Sequence, residues 1–193
     1  MANFVLLVSA IVCASISIVL CDATCGKVFE NKVTDAEAKI IVDKHNQLRS
    51  LISQGKVPGQ PKGKNLKTMK WDIALAREAQ KITNTCEFKH VKVNDDRFYV
   101  GQNLFASSST GSAIGSDWNK AIQTWFNEYK NFEYPSTSNG VTGHYTQVVW
   151  ADTEYVGCGY TMYQKQGEKW YNKFYVCNYG PGGNIVGVPP YEI

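Results

Sequence analysis

The side chains best suited to chemistry in this sequence are its three histidines, His45, His90 and His144. An imidazole ring can bind a metal ion or move a proton near neutral pH. Other catalytic devices are missing as local motifs, since there is no GxSxG nucleophile turn. Residues 180–184 are rich in glycine but lack the lysine and helix start of a phosphate-binding loop. Candidate sites are therefore those that contain histidine.

The first 21 residues have the character of a targeting segment. Residues 4–20 are uncharged and mostly apolar, and this run is shorter than the roughly 20 residues of a membrane span. We interpret residues 1–21 as a signal peptide cleaved before Asp22, with an uncleaved anchor as the alternative. Cleavage leaves 172 of 193 residues, the size of one domain. We therefore expect a secreted, extracellular protein without a transmembrane segment after processing.

The charge of the chain is mild, at +3, and its basic residues form no continuous run. This distribution does not predict binding to nucleic acid or docking of a polybasic segment on a membrane. Four cysteines follow the predicted signal peptide, Cys25, Cys86, Cys158 and Cys177. An even number in a secreted chain predicts two disulfides, although sequence alone leaves three pairings open. No CxxC spacing is present to suggest structural zinc held by thiolates.

Three helices are predicted before the last third of the chain. The first begins at a capping box that opens at Thr34 and ends at Gly55. The second follows Trp71-Asp72 and ends near Cys86, because its alanines and straight-chain residues favour helix. The third opens at Ser116 or Asp117 and carries an apolar stripe at helical spacing that should face the core. The stripe comprises Trp118, Ile122, Trp125 and Tyr129.

Three strands are predicted after these helices, at residues 145–150, 157–163 and 169–177. Apolar residues alternate with polar or small ones in these segments, and residues 164–168 form a plausible hairpin turn. The serine-rich residues 107–112 are predicted to be a short flexible loop. Helices followed by strands indicate an α+β fold.

Two long segments, residues 143–150 and 174–185, resemble the paired signatures of the CAP superfamily. This superfamily gathers cysteine-rich secretory proteins, insect venom antigen 5 and plant pathogenesis-related proteins. The shorter segments at residues 45–49 and 101–104 match as well, and the set is most similar to arthropod antigen 5. The resemblance implies an α-β-α sandwich with a short antiparallel sheet between helical layers, forming a single domain over residues 33–193. It also implies disulfides Cys25–Cys86, which ties down an amino-terminal arm at residues 22–32, and Cys158–Cys177.

The resemblance also implies a cavity tetrad of two histidines and two acidic residues. The matching positions here are His90, Glu128, His144 and Gln102, so an amide replaces one carboxylate. Two imidazoles and one carboxylate could form a zinc site, but a neutral amide balances no charge and cannot act as a general base. We therefore expect a hydrogen-bonded cluster with possible zinc at His90 and His144, no required cofactor and no catalytic residue. His45 is expected to be a packed side chain.

An aromatic segment after the third helix is the second candidate site, comprising Tyr129, Phe132, Tyr134 and Pro135. Rings spaced this closely beside a proline suggest the mouth of a ligand pocket. The alternative is that Phe132 and Tyr134 simply pack beneath the loop. The resemblance implies sterol binding at this loop, or fatty acids in a groove between helices.

The preferred hypothesis is that the chain is a secreted, monomeric, non-enzymatic antigen 5-like protein of venom or saliva. Its partner would be a small apolar ligand, a sterol or fatty acid, or a host protein. One alternative is a metal-dependent hydrolase that uses His90, Glu128 and His144. The other is an effector that binds a receptor or channel.

Overall fold

The structure, a computed structural model, describes residues 25–112, 114–136 and 140–193, so the predicted signal peptide lies outside it. The chain forms five strands, four α-helices and one 3-10 helix along this part of its length. In chain order they are β1 (Lys27–Glu30), α1 (Asp35–Ser53), β2 (Lys70–Trp71), α2 (Ile73–Thr83), β3 (Gly101–Ser109), α3 (Trp118–Phe126), the 3-10 helix (Asn127–Asn131), α4 (Gly143–Val148), β4 (Tyr155–Gln164) and β5 (Tyr171–Gly180).

The sheet has the strand order β1-β4-β5-β3, with antiparallel neighbours, and β2 pairs in parallel with β4. Each face of the sheet is covered by helix. One face carries Tyr160 and Tyr175 and packs against α1, α3 and α4, whereas the other carries Phe174 and Val176 and packs against α2. The predicted α-β-α sandwich is therefore confirmed.

Helix α2 lies unusually close to β4 because two positions of that strand are glycine. A Cβ added at Gly157 would lie 2.2 Å from the Ala76 nitrogen, and one at Gly159 would lie 2.4 Å from the Gln80 nitrogen. The Gln80 amide then reaches the strand, donating to the Tyr160 carbonyl at 2.9 Å and accepting from the Tyr160 nitrogen at 3.1 Å. The glycines thus fix the position of α2, and with it one wall of a groove described below.

The helix predictions are confirmed at their starts. Thr34 and Glu37 form the capping box of α1, and Gly55 follows its end with φ +67°. Asp72 caps α2 and Asp117 caps α3, each through a side chain that accepts a backbone hydrogen bond. Helix α2 ends at Thr83, slightly before the expected position. Within the predicted stripe of α3 the first three residues are buried, whereas Tyr129 is half-buried in the 3-10 helix.

The prediction of a strand at residues 145–150 is wrong, because residues 145–148 belong to helix α4 and the last two residues form no strand. The alternation of apolar and polar residues suggested one face exposed to solvent. Thr146 and Gln147 are buried instead, and their side chains donate to Asn184 at 2.7 Å and to Thr153 at 3.1 Å. Internal hydrogen bonds therefore satisfy the polar positions, which a pattern of hydropathy cannot reveal.

The serine-rich segment is also different from the prediction, since Ser107, Ser108 and Ser109 continue strand β3. They pair with residues 173 to 171 of β5 in an antiparallel ladder. Small polar side chains carry little strand propensity, and backbone pairing with β5 decides the conformation here. The predicted turn at residues 164–168 does join β4 to β5.

Both disulfides form as expected, Cys25–Cys86 and Cys158–Cys177. The first fastens the chain before β1 to the segment after α2, and the second links paired residues of β4 and β5. Among the described residues, no helix is long and apolar enough to cross a membrane.

Candidate functional site

His90 and His144 line the same open cleft, which has a volume of about 520 Å³. His90 lies in the segment after α2, and His144 lies in the first turn of α4. The rest of the wall comes from β3, through Gln102, and from the segment that follows β5. We call this region the histidine cleft. Its lining among the described residues includes Lys92 but no acidic side chain.

Glu128 stands behind His144 and uses both carboxylate oxygens. Its Oε1 accepts from His144 Nδ1 at 2.7 Å, while Oε2 accepts from the backbone nitrogens of His144 and Tyr145, both at 3.1 Å. The carboxylate therefore caps the start of α4 and orients the imidazole ring. Trp125 stacks on the same ring at 6.2 Å between centroids. Glu128 thus positions His144 and is not itself aimed into the cleft.

Gln102 holds His90 in a similar way. Its Oε1 lies 3.0 Å from His90 Nδ1 and accepts from the Val91 nitrogen at 3.1 Å. Its amide nitrogen donates to the Val91 carbonyl at 3.1 Å and to Asn178 at 2.9 Å. An amide can satisfy both donors and acceptors around it, which a carboxylate could not do here. Gln102 therefore fits this position as a structural link between β3, β5 and the His90 segment.

His45 lies apart from the cleft surface and is fully buried, as expected for a packed side chain. Its Nδ1 contacts the Ile41 carbonyl at 2.8 Å, and its Nε2 contacts the Tyr179 hydroxyl at 3.0 Å. Asn103 continues this network by donating to the His144 carbonyl at 3.1 Å. Burial lowers the pKa of His45 to about 4, so this ring is neutral at physiological pH.

The nitrogen atoms of the two cleft histidines are the candidate ligands for a metal ion. In the cleft, both Nδ1 atoms are already engaged, which leaves the two Nε2 atoms of His90 and His144 as ligands. A carboxylate or amide bonded to Nδ1 is the usual support of a metal-binding histidine. Within the described ranges, however, no group of three or more His, Cys, Asp and Glu side chains could hold an ion. The cleft therefore offers an ion two imidazole nitrogens at most, one fewer than the three protein ligands of a catalytic zinc centre.

The aromatic segment after α3 points its rings inward. Phe132 is buried and contacts Tyr145 at 5.4 Å between centroids. Tyr134 stacks on Tyr191 at 5.2 Å, and its hydroxyl donates to the Tyr191 carbonyl at 2.8 Å. Tyr129 is half-buried and Pro135 is exposed. A ligand at this loop would have to displace packed rings, so ligand binding there stays a prediction.

A second concave region lies between the amino-terminal half of α1 and the start of α2. Two adjoining depressions, of about 360 and 190 Å³, share Asp35, Ala38 and Trp71. We call this region the helix groove. Its floor and walls are mainly apolar, and Ile73 is 60% exposed there. The apolar lining comprises Val33, Ala38, Val42, Trp71, Ile73 and Ala76.

Basic side chains stand at the rim of the helix groove. Lys32 and Arg77 line its smaller depression, and within the described part of the chain neither is in an ion pair with an acidic residue. Lys39 lines the larger one and pairs with Asp43 at 2.5 Å. The sequence did not predict the helix groove. The spacing of residues on an amphipathic helix does not show whether an isoleucine such as Ile73 is exposed or buried.

The fold and its two disulfides define a cysteine-stabilised α-β-α sandwich with a histidine cleft at one side of the sheet. The family model described as CAP, the cysteine-rich secretory protein family, matches residues 42–179. This span exceeds half of the chain, and the chain therefore belongs to the CAP family.

Relatives of known name agree with this assignment. The chain is 43% identical over 174 residues to venom allergen 3 of Solenopsis invicta, covering 83% of this chain and 74% of that one. It is 39% identical over 178 residues to venom allergen 5 of Vespa mandarinia, covering 87% of each. Among solved structures, that of NaASP2 with Zn2+ superposes with a TM-score of 0.69 at 28% identity, covering 86% of this chain and 90% of that one. The predicted likeness to antigen 5 is thereby confirmed.

Proposed function

We propose that the protein is a secreted, non-enzymatic carrier that binds a fatty acid or a similar single-chain lipid in the helix groove. The observation that carries this proposal is a mainly apolar groove in which Ile73 is exposed and Trp71 is half-buried, beside two basic residues that have no acidic partner among the described residues. Exposed apolar surface in a concave region is typical of a ligand site. An aliphatic chain would cover Trp71 and Ile73, and its carboxylate would approach Lys32 and Arg77.

The groove supports a chain-like ligand better than the aromatic loop supports a sterol. At the loop, Phe132 and Tyr134 already contact protein rings, so no free apolar surface is offered by them. The groove is long, because its two depressions share Trp71 and extend from Val33, just before α1, to Val42 on α1. A flexible chain can follow such a surface more easily than a rigid ring system can.

The non-enzymatic part of the proposal is supported by how the cleft side chains are used. Both oxygens of Glu128 accept hydrogen bonds from α4, and Gln102 offers no charge and no basic group. A mechanism that uses two carboxylates as acid and base has neither of them here, because Gln102 replaces one and the other caps α4. The cleft side chains therefore favour a structural role over a hydrolytic one.

The lipid proposal is tested by displacement of a fluorescent fatty acid from the mature, delipidated protein. Ile73→Ser should weaken binding about tenfold, because it removes apolar contact worth about 1.5 kcal/mol. The matched control is Ile40→Ser, since Ile40 is an exposed isoleucine of α1 outside the groove lining. Arg77→Ser should weaken binding of the fatty acid but not binding of its methyl ester, which carries no charge.

Absence of binding by the wild-type protein would contradict the carrier role and favour a protein target. Equal losses in the Ile73 and Ile40 variants would show that the probe binds somewhere other than the groove.

Zinc binding is a second candidate property, supported by the orientation of the two cleft histidines. We propose that Zn²⁺ binds the Nε2 atoms of His90 and His144 when it is abundant, without supporting hydrolysis. Calorimetric titration at neutral pH should detect this binding, and His144→Ala should abolish it. Affinity should fall in acid, because protons compete with zinc for the ligand nitrogens. A flat titration of the wild-type protein would dispose of the zinc site.

A further inference from the structure

The amino-terminal arm and the β4–β5 hairpin meet at one end of the sheet. Lys27 pairs with Gln164 and Val28 with Tyr163 in the β1–β4 ladder. The contact is so close that a Cβ at Gly26 would lie 2.4 Å from the Gln164 carbonyl oxygen and 3.0 Å from Lys165 Cα. Gly26 has φ +68°, a conformation that suits glycine. The start of the mature chain and the hairpin turn thus form one continuous surface.

This surface combines basic and apolar side chains, and we call it the basic tip. Trp170 is 52% exposed, although tryptophan normally buries most of its ring, and Val28, which pairs with Tyr163 of β4, is 42% exposed. Three lysines are exposed around them and, among the described residues, none is in an ion pair. Glu168 is the acidic residue of the turn. The basic tip comprises Lys27, Val28, Lys165, Lys169 and Trp170.

The basic tip is held in place by covalent and aromatic contacts. The Cys25–Cys86 disulfide fastens the arm one residue before Gly26. Phe29 contacts Tyr171 at 5.4 Å between ring centroids, which joins β1 to the residue after Trp170. The Lys27 ammonium lies 4.9 Å from the centre of the Phe29 ring. A prearranged surface loses little conformational entropy when it binds.

We propose that the basic tip docks the protein on the surface of an anionic lipid membrane. An exposed tryptophan suits the boundary between headgroups and acyl chains, where its ring is apolar and its N–H remains hydrated. Lysines around it would meet the phosphate and carboxylate groups of anionic lipids, each strengthening binding about fivefold. The charge and the exposed ring together favour a membrane over a soluble polyanion, which would use the lysines but not Trp170. The linear sequence hides this cluster, since its members come from opposite ends of the chain.

The test is cosedimentation of the mature protein with phosphatidylcholine vesicles and with mixed phosphatidylcholine–phosphatidylserine vesicles at low salt. Binding is expected only to the mixed vesicles. The double variant Lys165→Ser/Lys169→Ser should reduce it at least tenfold, given about fivefold per lysine. The matched control is Lys56→Ser/Lys62→Ser, which removes two exposed lysines beyond the far end of α1. Circular dichroism checks that each variant is folded.

Fluorescence supplies an independent readout of orientation. Lipids brominated near the headgroup should quench part of the tryptophan emission, and Trp170→Phe should remove that quenching while vesicle binding persists. No binding to mixed vesicles, or equal losses in both lysine variants, would overturn the proposal. Retention on heparin without vesicle binding would also overturn it and assign the lysines to a soluble polyanion. The outcome is independent of the fatty-acid assay, because Ile73 and Arg77 lie outside the basic tip.

Discussion

The histidine cleft and the helix groove are both concave, but their side chains are used in different ways. At the cleft, His90, Gln102 and His144 form hydrogen bonds with one another, with the backbone or with Glu128, which stands behind His144. In the groove, Ile73 projects into solvent and Arg77 has no acidic partner among the described residues. Polar groups that satisfy each other stabilise a fold, whereas unsatisfied surface is available for a ligand. The comparison indicates that the polar side chains at the histidine cleft, which are the residue types most often catalytic, mainly stabilise the fold.

The largest effect on stability is expected from the loss of Arg49, which links α1 to the segment that follows α4. Its buried guanidinium donates to the carbonyls of Lys67, Val148, Trp150, Ala151 and Thr153 at 2.6 to 3.3 Å. Burial lowers its pKa to about 10, so the group remains charged at neutral pH. Arg49→Met leaves several buried carbonyls without donors, each costing about 1–3 kcal/mol. We expect a loss of roughly 3–5 kcal/mol in the free energy of unfolding, measured with urea.

Arg77→Met is the matched control, because it removes an exposed arginine from the groove rim. Its effect should stay within about 0.5 kcal/mol. Similar losses in the two variants would contradict the distinction between a structural arginine and a rim arginine.

Sequence patterns predicted the helix starts of this fold, and the family resemblance predicted the pairing of its disulfides. Local signals determine a helix start, and Thr34, Asp72 and Asp117 cap their helices through side chains a few residues away. The same kind of reasoning failed at residues 145–150 and 107–109. There the conformation depends on distant partners: Asn184 accepts from Thr146, and β5 pairs with the serines. Long-range hydrogen bonds leave no periodic trace in the chain.

The candidate site shows the same division between local and distant information. Family motifs located His90 and His144, and the structure places both in one cleft. The motifs grouped Glu128 with these histidines as a metal ligand. They carried no sign that its oxygens cap α4. The groove residue Ile73 carried no signal at all, since its exposure depends on how closely α2 approaches β4.

A second test concerns acid, because the core beside α1 contains the fully buried His45. Its pKa is lowered by burial from 6.5 to about 4. The unfolded chain therefore binds a proton at a higher pH than the folded one, and stability falls as pH drops from about 6.5 towards 4. The shift corresponds to about 3 kcal/mol once both values are passed. Urea unfolding at several pH values in this window should show the decline.

The variant His45→Gln keeps a neutral polar side chain and removes the titrating group. Its stability should be lower at neutral pH, but it should lose less on acidification than the wild-type protein does. Parallel pH profiles of the two proteins would show that other groups cause the acid sensitivity and that folding does not lower the pKa of His45.

The smallest expected effects come from single substitutions at Glu128 and Ile73, which should separate stability from ligand affinity. Glu128→Gln replaces an oxygen that accepts from His144 or Tyr145 with an amide nitrogen that cannot accept. The expected loss is about 1–3 kcal/mol of stability with little change in fatty-acid affinity. Ile73→Ser should do the reverse, changing stability by no more than about 0.5 kcal/mol while weakening the fatty acid. Thermal unfolding and probe displacement on both variants measure the two effects separately. If Glu128→Gln impaired ligand binding while the fold stayed intact, the cleft would belong to the ligand site. A carboxylate that only caps α4 does not contact the groove and should not affect binding there.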